Sequence, residues 1–207
     1  MKKSIRSAGH IKGDVAAFKR ERIVDAAVDL FYERGYEHST LDAVAQRLGV
    51  TKPFIYSYFK SKADLLSEIC GRGIRASLDA INEVLALKLP PVEQLNEFSK
   101  KFTCAVLGSQ KHIAVFAREE KNLTRSEFER ISNMRREFDR KLTGLLDRGV
   151  AKKEFQAIDT RLVALAIGGM VSWSYVWYRS DGRLTLDQVA KQMASLILCM
   201  VQARSRH

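Results

Sequence analysis

Cysteine and proline are scarce in this chain of 207 residues, which contains three of each. Cys70, Cys104 and Cys199 lie far apart and without C-x-x-C spacing, so neither a disulfide scaffold nor a zinc site is predicted. Free thiols fit a reducing cytosol, and a cytoplasmic protein is expected. A thiol-based sensor remains an alternative, although lone helical cysteines are usually small core residues. The few prolines and the lack of strand-like alternation favour an all-α fold.

Catalytic motifs are absent as well. The four histidines are widely separated, and the chain contains no G-x-S-x-G, Walker loop, H-E-x-x-H or dinucleotide fingerprint. The neighbouring carboxylates Glu119 and Glu120 point in different directions on a helix, which is poor geometry for an acid/base pair. The sequence therefore predicts no enzyme, no cofactor and no metal.

Positive charge is in excess, because 35 Lys and Arg residues stand against 24 Asp and Glu residues, a net charge of +11. Such a field attracts nucleic acid, anionic membranes or acidic ligands. From Leu162 to Tyr178 no side chain is charged, a stretch at the short end of the roughly 17–25 residues that span a bilayer. We expect this stretch to be a buried helix, and a basic helical membrane-associated protein without operator recognition is the alternative function.

The segment from Ser39 to Lys62 has the pattern of two short helices joined by a tight turn. Ser39 and Thr40 are N-cap residues, and apolar residues follow with helical spacing. Gly49 can end the first helix, and a second helix, KPFIYSYFK, begins after Thr51. This second helix combines buried aliphatic and aromatic positions with lysines and tyrosines, as a recognition helix in a DNA groove requires.

Three motifs in this region resemble the tetracycline-repressor (TetR) family of bacterial transcriptional regulators. They are LFYERGY at residues 30–36, HSTLDAVAQRLGV at 38–50 and TKPFIYSYFKSKADLL at 51–66. The resemblance implies a repressor that binds a palindromic DNA operator as a homodimer and is released by a small-molecule effector. By motif position, it implies that Lys52 and its neighbours face bases and phosphates. The expected DNA-binding residues are Ser39, Thr40, Thr51, Lys52, Pro53, Phe54, Tyr56, Tyr58, Lys60 and Lys62.

The chain divides by pattern into three parts. Residues 1–17 form a basic and mobile arm, which either follows the DNA or is simply solvated. No apolar run follows its lysines, so no signal peptide is expected. Residues 18–65 form the helix-turn-helix domain, whose first helix is predicted from Lys19 to Arg34. Residues 66–207 form a helical domain for effector binding and dimerisation.

The last two predicted helices, from Asp159 to Arg179 and from Leu186 to about Gln202, are more apolar than surface helices of a monomer. Two such helices from each of two chains can form a four-helix bundle, which the family resemblance also implies. The predicted interface residues are Gly168, Gly169, Met193 and Ile197.

Trp173 and Trp177 are four residues apart and precede Arg179, a pattern of an aromatic wall beside an anion site. The W-x-x-x-W-Y-R-x-D-G pattern, together with FAREEKNL at residues 116–123, is similar to TetR branches that sense acyl-CoA thioesters. An uncharged hydrophobic effector, with these aromatic residues merely in the core, remains the alternative. The predicted effector-binding residues are Phe98, Phe102, Phe116, Arg118, Trp173, Trp177 and Arg179.

Overall fold

The computed structural model describes residues 3–202, with side chains from residue 13 onward. All regular structure in this part of the chain is helical, which confirms the predicted all-α fold. The helices are α1 (Lys3–Arg34), α2 (Leu41–Leu48), α3 (Lys52–Tyr56), α4 (Lys62–Leu85), α5 (Pro91–Gly108), α6 (Gln110–Glu119), a 3-10 turn (Glu120–Asn122), α7 (Arg125–Ala151), α8 (Thr160–Ser172), α9 (Ser174–Trp177) and α10 (Leu186–Val201).

The described residues group into two units. The first contains the chain up to Cys70 together with the segment Val115–Leu123. The second contains Gly71–Ala114 and the residues from Thr124 onward. Residues 115–123 therefore join the helix-turn-helix residues in the first unit, although they are distant from them in sequence.

Helix ends follow local side-chain chemistry. The Thr40 hydroxyl accepts a hydrogen bond from the backbone N–H of Ala43 and caps α2, and Gly49 ends that helix in the left-handed conformation at φ 66°. Reciprocal capping boxes begin α7 at Thr124 and α10 at Thr185.

Helix α1 begins earlier than the sequence predicts. The predicted start was Lys19, whereas the helix runs from Lys3. Residues 3–17 of the predicted arm are thus helical, and residues 1 and 2 lie outside the described residues. Once a helix is nucleated, each further residue adds one backbone hydrogen bond, and no proline interrupts this stretch.

The core of the second unit lies around α5, which packs against α7, α8 and α10. Aromatic rings of Phe98, Phe102 and Phe138 stand at its centre, with centroid separations between 4.9 and 5.9 Å. Each ring buries a large apolar area, so this cluster carries much of the unit's stability.

The predicted helix from Asp159 to Arg179 is divided in the structure. Helix α8 ends at Ser172, and the single turn α9 follows Trp173. The buried Ser174 hydroxyl donates to the carbonyl oxygen of Val171 at 2.6 Å, a local hydrogen bond of the type that competes with continuous helix. Among residues 3–202, no helix has the combination of length and apolarity that crossing a membrane requires.

Candidate nucleic-acid interface and ligand cleft

Helices α2 and α3 pack against each other as a helix-turn-helix. The side chains of Val44 on α2, and of Ile55 and Phe59 in and after α3, are fully buried and hold α3 in place. The opposite side of α3 is solvent-exposed and carries cationic and aromatic groups suited to phosphates and base edges. Of the predicted DNA-binding residues, those exposed here are Thr40, Thr51, Lys52, Pro53, Tyr56 and Lys60.

Lys52 at the start of α3 is held by an ion pair. Its Nζ donates to Oδ2 of Asp42 at 2.9 Å, and this hydrogen bond raises the pKa of the lysine. The same Nζ lies 5.9 Å from the centre of the Tyr56 ring. Both side chains of the pair are exposed, so a DNA phosphate can compete with Asp42 for the ammonium group.

Four other predicted DNA-binding residues also have contacts within the protein. Phe54 and Tyr58 are partly buried, and the centroids of their rings are 5.3 Å apart. The Lys62 Nζ donates to the carbonyl oxygen of Tyr36 at 3.0 Å. Ser39 is fully buried, and its hydroxyl donates to the carbonyl oxygens of Leu30 and Gly35. The structure thus differs from the prediction for Ser39, which neither caps α2 nor lies on the exposed side of α3.

Arg118 and Glu119 contact the end of α1 within the first unit. The Arg118 Nη2 donates to the carbonyl oxygens of Phe31 and Tyr32 at 3.2 and 3.0 Å. The Glu119 Oε1 accepts from the backbone N–H of Tyr36 at 3.3 Å. The Tyr32 carbonyl is one of the oxygens that a helix end leaves unpaired, whereas the Phe31 carbonyl also accepts from the Gly35 N–H. Sequence reasoning assigned Arg118 to an effector and overlooked Glu119, because no local pattern predicts a contact over some eighty residues.

The two tryptophans do not form a wall in the protomer. The exposed fractions are 62% for Trp173 and 46% for Trp177; Trp173 follows the end of α8, and Trp177 is the last residue of α9. Arg179 is also exposed and pairs with Asp181 through two hydrogen bonds, which lower the pKa of that carboxyl. Phe116 belongs to the first unit and is buried there.

Of the predicted effector residues, Phe98 and Phe102 lie together in the second unit. Phe102 reaches a cleft of about 310 Å³ between α4, α5, α7 and α8. The lining residues of this ligand cleft are Ile74, Ser77, Phe102, Arg135, Phe138, Asp139, Leu165, Gly168, Gly169 and Ser172. Its size and mixture of aromatic and few polar groups are typical of small-molecule sites.

A second cleft, of about 540 Å³, lies between α7 and α8. Three arginines and two aspartates are among its lining residues, and we call it the arginine groove. Its lining residues are Arg136, Asp139, Arg140, Thr143, Gly144, Asp147, Arg161 and Leu165.

The predicted dimer residues divide into two groups. Met193 and Ile197 on α10 are buried within the protomer's own core, because the apolar stripe of that helix faces α5. Gly169 is exposed on α8, and a Cβ added there would have no atom within 4 Å. The predicted Gly168 is partly buried, and a Cβ added there would likewise have no atom within 4 Å. Exposed apolar side chains on α8 and α10 belong instead to Leu162, Leu165, Leu186 and Leu196.

A capped, packed helix-turn-helix with an exposed cationic second helix, joined to a helical unit with a ligand-sized cleft, defines a ligand-responsive type of DNA-binding protein. Comparison with known families agrees. Residues 23–69 match the family described as bacterial regulatory proteins, tetR family, and residues 88–201 match the tetracyclin repressor-like C-terminal domain. The chain belongs to the TetR family, whose members are transcriptional regulators. This membership confirms the resemblance and disfavours the membrane-associated alternative.

Individual relatives align over most of the chain. The HTH-type transcriptional repressor KstR2 of Rhodococcus jostii RHA1 is 30% identical, over 87% of this chain and 89% of its own. The fatty acid metabolism regulator protein of Bacillus subtilis 168 is 26% identical, over 87% of this chain and 94% of its own. The crystal structure of AibR with isovaleryl coenzyme A and operator DNA superposes with a TM-score of 0.73. The two sequences are 25% identical, over 86% of this chain and 97% of the AibR chain.

Proposed function

We propose that this protein is a transcriptional repressor that binds a palindromic operator as a homodimer and is released by an acyl-CoA or aryl-CoA thioester. The observation that carries the DNA-binding part is the exposed side of α3, with Lys52 and Tyr56 above a buried Ile55. The proposed function is regulation by binding and involves no catalytic step. It places the protein in the cytoplasm, where bacterial operators are found.

Recognition of the operator is assigned to α3 in the major groove. Lys52, Pro53 and Phe54 at its start are nearest the bases, and Thr40, Tyr56 and Lys62 are directed to phosphates. One short helix supplies few base contacts, so a two-fold dimer that reads two half-sites about 34–36 Å apart is needed for useful specificity.

Assembly is assigned to α8 and α10. A lone protomer exposes Leu162, Leu165 and Leu196 on these helices, and Leu196 has 55% of its surface in solvent. We infer that these exposed side chains take part in an apolar contact between two protomers. The exposed Gly169 lets a partner helix approach α8 closely, because it carries no side chain.

The effector is assigned to the ligand cleft beside Phe102 and Phe138. The apolar and aromatic part of the lining, Ile74, Phe102, Phe138 and Leu165, suits an acyl or aryl chain, and Arg135 and Asp139 lie beside it. The B. subtilis relative is named for fatty acid metabolism, and the AibR structure contains isovaleryl coenzyme A, so thioesters are the first ligands to test.

Two linked experiments test this function. Selection of genomic DNA fragments by the purified protein, followed by fluorescence anisotropy, should yield a palindromic site whose binding weakens with salt and is lost in a Lys52→Ala, Tyr56→Ala double variant. Equal binding by the double variant would exclude α3 as the recognition helix.

The effector is then tested by adding acyl-CoA and aryl-CoA compounds, the matching free acids and neutral apolar compounds to the protein–operator complex. A true effector stabilises the protein by about 2.7 kcal/mol at a hundredfold excess over its Kd. Release and stabilisation by a neutral compound alone would exclude the thioester assignment.

A further inference from the structure

The first residue of the recognition helix α3 is a cation that already has an anionic partner within its own unit. Lys52 donates from Nζ to Oδ2 of Asp42 at 2.9 Å. Asp42 lies in the first turn of α2, where the positive end of the helix dipole stabilises a carboxylate. This ion pair therefore links the beginning of α2 to the beginning of α3.

Asp42 is held in a defined position. The Thr40 hydroxyl caps the first turn of α2, and Val44 in the next turn is fully buried. The short aspartate side chain has few rotamers, so its carboxylate stays close to α2. The Lys52 ammonium comes to this fixed carboxylate on a flexible four-carbon chain, and its Nζ is also 5.9 Å from the centre of the Tyr56 ring, within the range of a cation–π contact.

The ion pair limits what Lys52 adds to the binding of DNA of arbitrary sequence. A lysine without an anionic partner binds any phosphate and releases a counterion, which is the main source of non-specific affinity. The Asp42 carboxylate cancels the charge of Lys52 and is itself repelled by the DNA phosphates. The side chains of Lys52 and Asp42 are 54% and 59% exposed, so their attraction is weak in water, but this repulsion adds to the cost of a phosphate contact.

A base contact has a smaller cost than a phosphate contact. An ammonium group has three N–H donors, and the hydrogen bond to Asp42 uses one of those of Lys52. The other two can donate to the O6 and N7 atoms of guanine, which are neighbouring acceptors in the major groove. The guanine edge has no net charge, so Lys52 can bind it while the ion pair with Asp42 persists.

We propose that Asp42 is a positioning residue that determines specificity, because it weakens the attraction of Lys52 to phosphates of any sequence and directs the ammonium to a guanine in each operator half-site. This inference rests on the proposed function and identifies one residue that sets the ratio of operator affinity to random-DNA affinity. Asp42 acts through Lys52 and requires no DNA contact of its own.

The test compares the selected operator with a random duplex of the same length. Fluorescence anisotropy measures the binding of both over a range of salt concentrations. The variants are Asp42→Asn, Asp42→Glu, Lys52→Ala and the double variant Asp42→Asn, Lys52→Ala. Glu37→Gln is the matched control, because Glu37 is an exposed carboxylate between α1 and α2 and is not the partner of Lys52. Melting temperatures establish that all variants are folded.

Asp42→Asn should raise the affinity for the random duplex by about fivefold or more and the affinity for the operator by less, so that their ratio falls. On the random duplex, the slope of log binding constant against log salt concentration should steepen by about one for each bound protomer, because Lys52 then binds a phosphate. Asp42→Glu should keep a ratio close to that of the wild type, since it keeps the charge.

Two comparisons show whether Asp42 acts through Lys52. Adding Asp42→Asn to Lys52→Ala should change both affinities by the same factor, as should Glu37→Gln in the wild type, because neither change redirects an ammonium group. The guanine contact is tested with operators in which guanines are replaced in turn by 7-deazaguanine, which lacks the N7 acceptor. One such replacement in each half-site should weaken binding of the wild type and leave that of Lys52→Ala unchanged.

Each failure has its own signature. If Lys52→Ala weakens operator binding but Asp42→Asn keeps the wild-type ratio, α3 reads the operator and Asp42 does not determine specificity. If the ratio falls equally when Lys52 is already alanine, the effect of Asp42 does not pass through Lys52, and the inference is wrong. If no 7-deazaguanine operator binds the wild type more weakly, the guanine assignment is wrong. If Lys52→Ala leaves operator binding unchanged, both this inference and the proposed role of Lys52 in operator recognition are wrong.

Discussion

Replacing Glu119 by alanine should destabilise the segment that leads into the helix-turn-helix without changing the exposed residues of α2 and α3. Only 9% of Glu119 is exposed, and its carboxylate accepts hydrogen bonds from the Tyr36 backbone N–H and from the Asn122 side chain, at 3.3 and 2.9 Å. Tyr36 follows Gly35, which ends α1 at φ 80°, and precedes the buried Ser39. The substitution would remove the carboxylate that accepts from the buried Tyr36 N–H.

The magnitude follows from the cost of an unsatisfied buried donor. Such a group destabilises a protein by about 1–3 kcal/mol, and the cost is higher when the lost partner is charged. For a chain of this size each kcal/mol lowers the melting temperature by about 2–4 °C, so a decrease of about 2–12 °C is expected. Because the Tyr36 backbone leads into α2, operator affinity should fall as well.

Three measurements check this expectation. Differential scanning calorimetry gives the melting temperature, hydrogen exchange gives the protection of the Tyr36 amide, and anisotropy gives operator affinity. Glu120→Ala is the matched control, because Glu120 is the next residue, carries the same charge and is exposed. Glu119→Gln should be intermediate, since its amide oxygen still accepts a hydrogen bond but carries no charge.

An unchanged melting temperature with unchanged exchange at Tyr36 would refute the reasoning, because it would mean that the Glu119 carboxylate does not hold the Tyr36 amide. An equal loss in Glu120→Ala would also refute it, since the effect would then come from charge or helix propensity and not from this hydrogen bond.

Four further outcomes are expected. Lys52→Ala should weaken operator binding by about 1–3 kcal/mol if the residue contacts a base. If it contacts a phosphate, the slope of log binding constant against log salt concentration should decrease in magnitude by about one; an unchanged gel shift contradicts both. Asp42→Asn should tighten DNA binding, because it frees the Lys52 ammonium and removes a negative charge beside α3; anisotropy measures this, and weaker binding would contradict it. Leu196→Asp should convert the dimer to monomers in sedimentation, whereas Leu87→Asp, at an exposed apolar position outside α8 and α10, should not. Asp139→Asn should raise the melting temperature at pH 7, because burial raises the carboxyl pKa in the folded state and ionisation therefore costs stability; the gain should shrink as the pH falls through that pKa, and a constant gain would contradict this cause.

The DNA-binding motif and most helix positions were predictable because their causes are local. Gly49 ends α2 by adopting a left-handed backbone, and threonines cap α2, α7 and α10 through hydrogen bonds that reach only three residues along the chain. The burial of Ile55 and Phe59 follows from their spacing of four on one side of the short recognition segment. These short-range patterns also carry the family resemblance.

The failures of sequence reasoning share a different cause. Periodicity shows that a helix has an apolar face, but it does not show which other element covers that face. The tryptophans are therefore exposed where a wall was predicted, and Met193 and Ile197 pack inside their own protomer. Ser39 points inward because the end of α1 supplies two carbonyl acceptors there.

Sequence by itself determined most of the helices, the threonine caps of α2, α7 and α10 and the recognition helix α3, since each depends on residues within about four positions of one another. It did not determine the start of α1 or the division between α8 and α9. Tertiary structure alone decided that Arg118 and Glu119 serve the end of α1. It also decided that Asp139 of α7 and Leu165 of α8 line the same two clefts. The physical reason is that side chains from separate helices meet only when those helices pack together. The separation of two residues along the chain does not determine their distance in the folded protein.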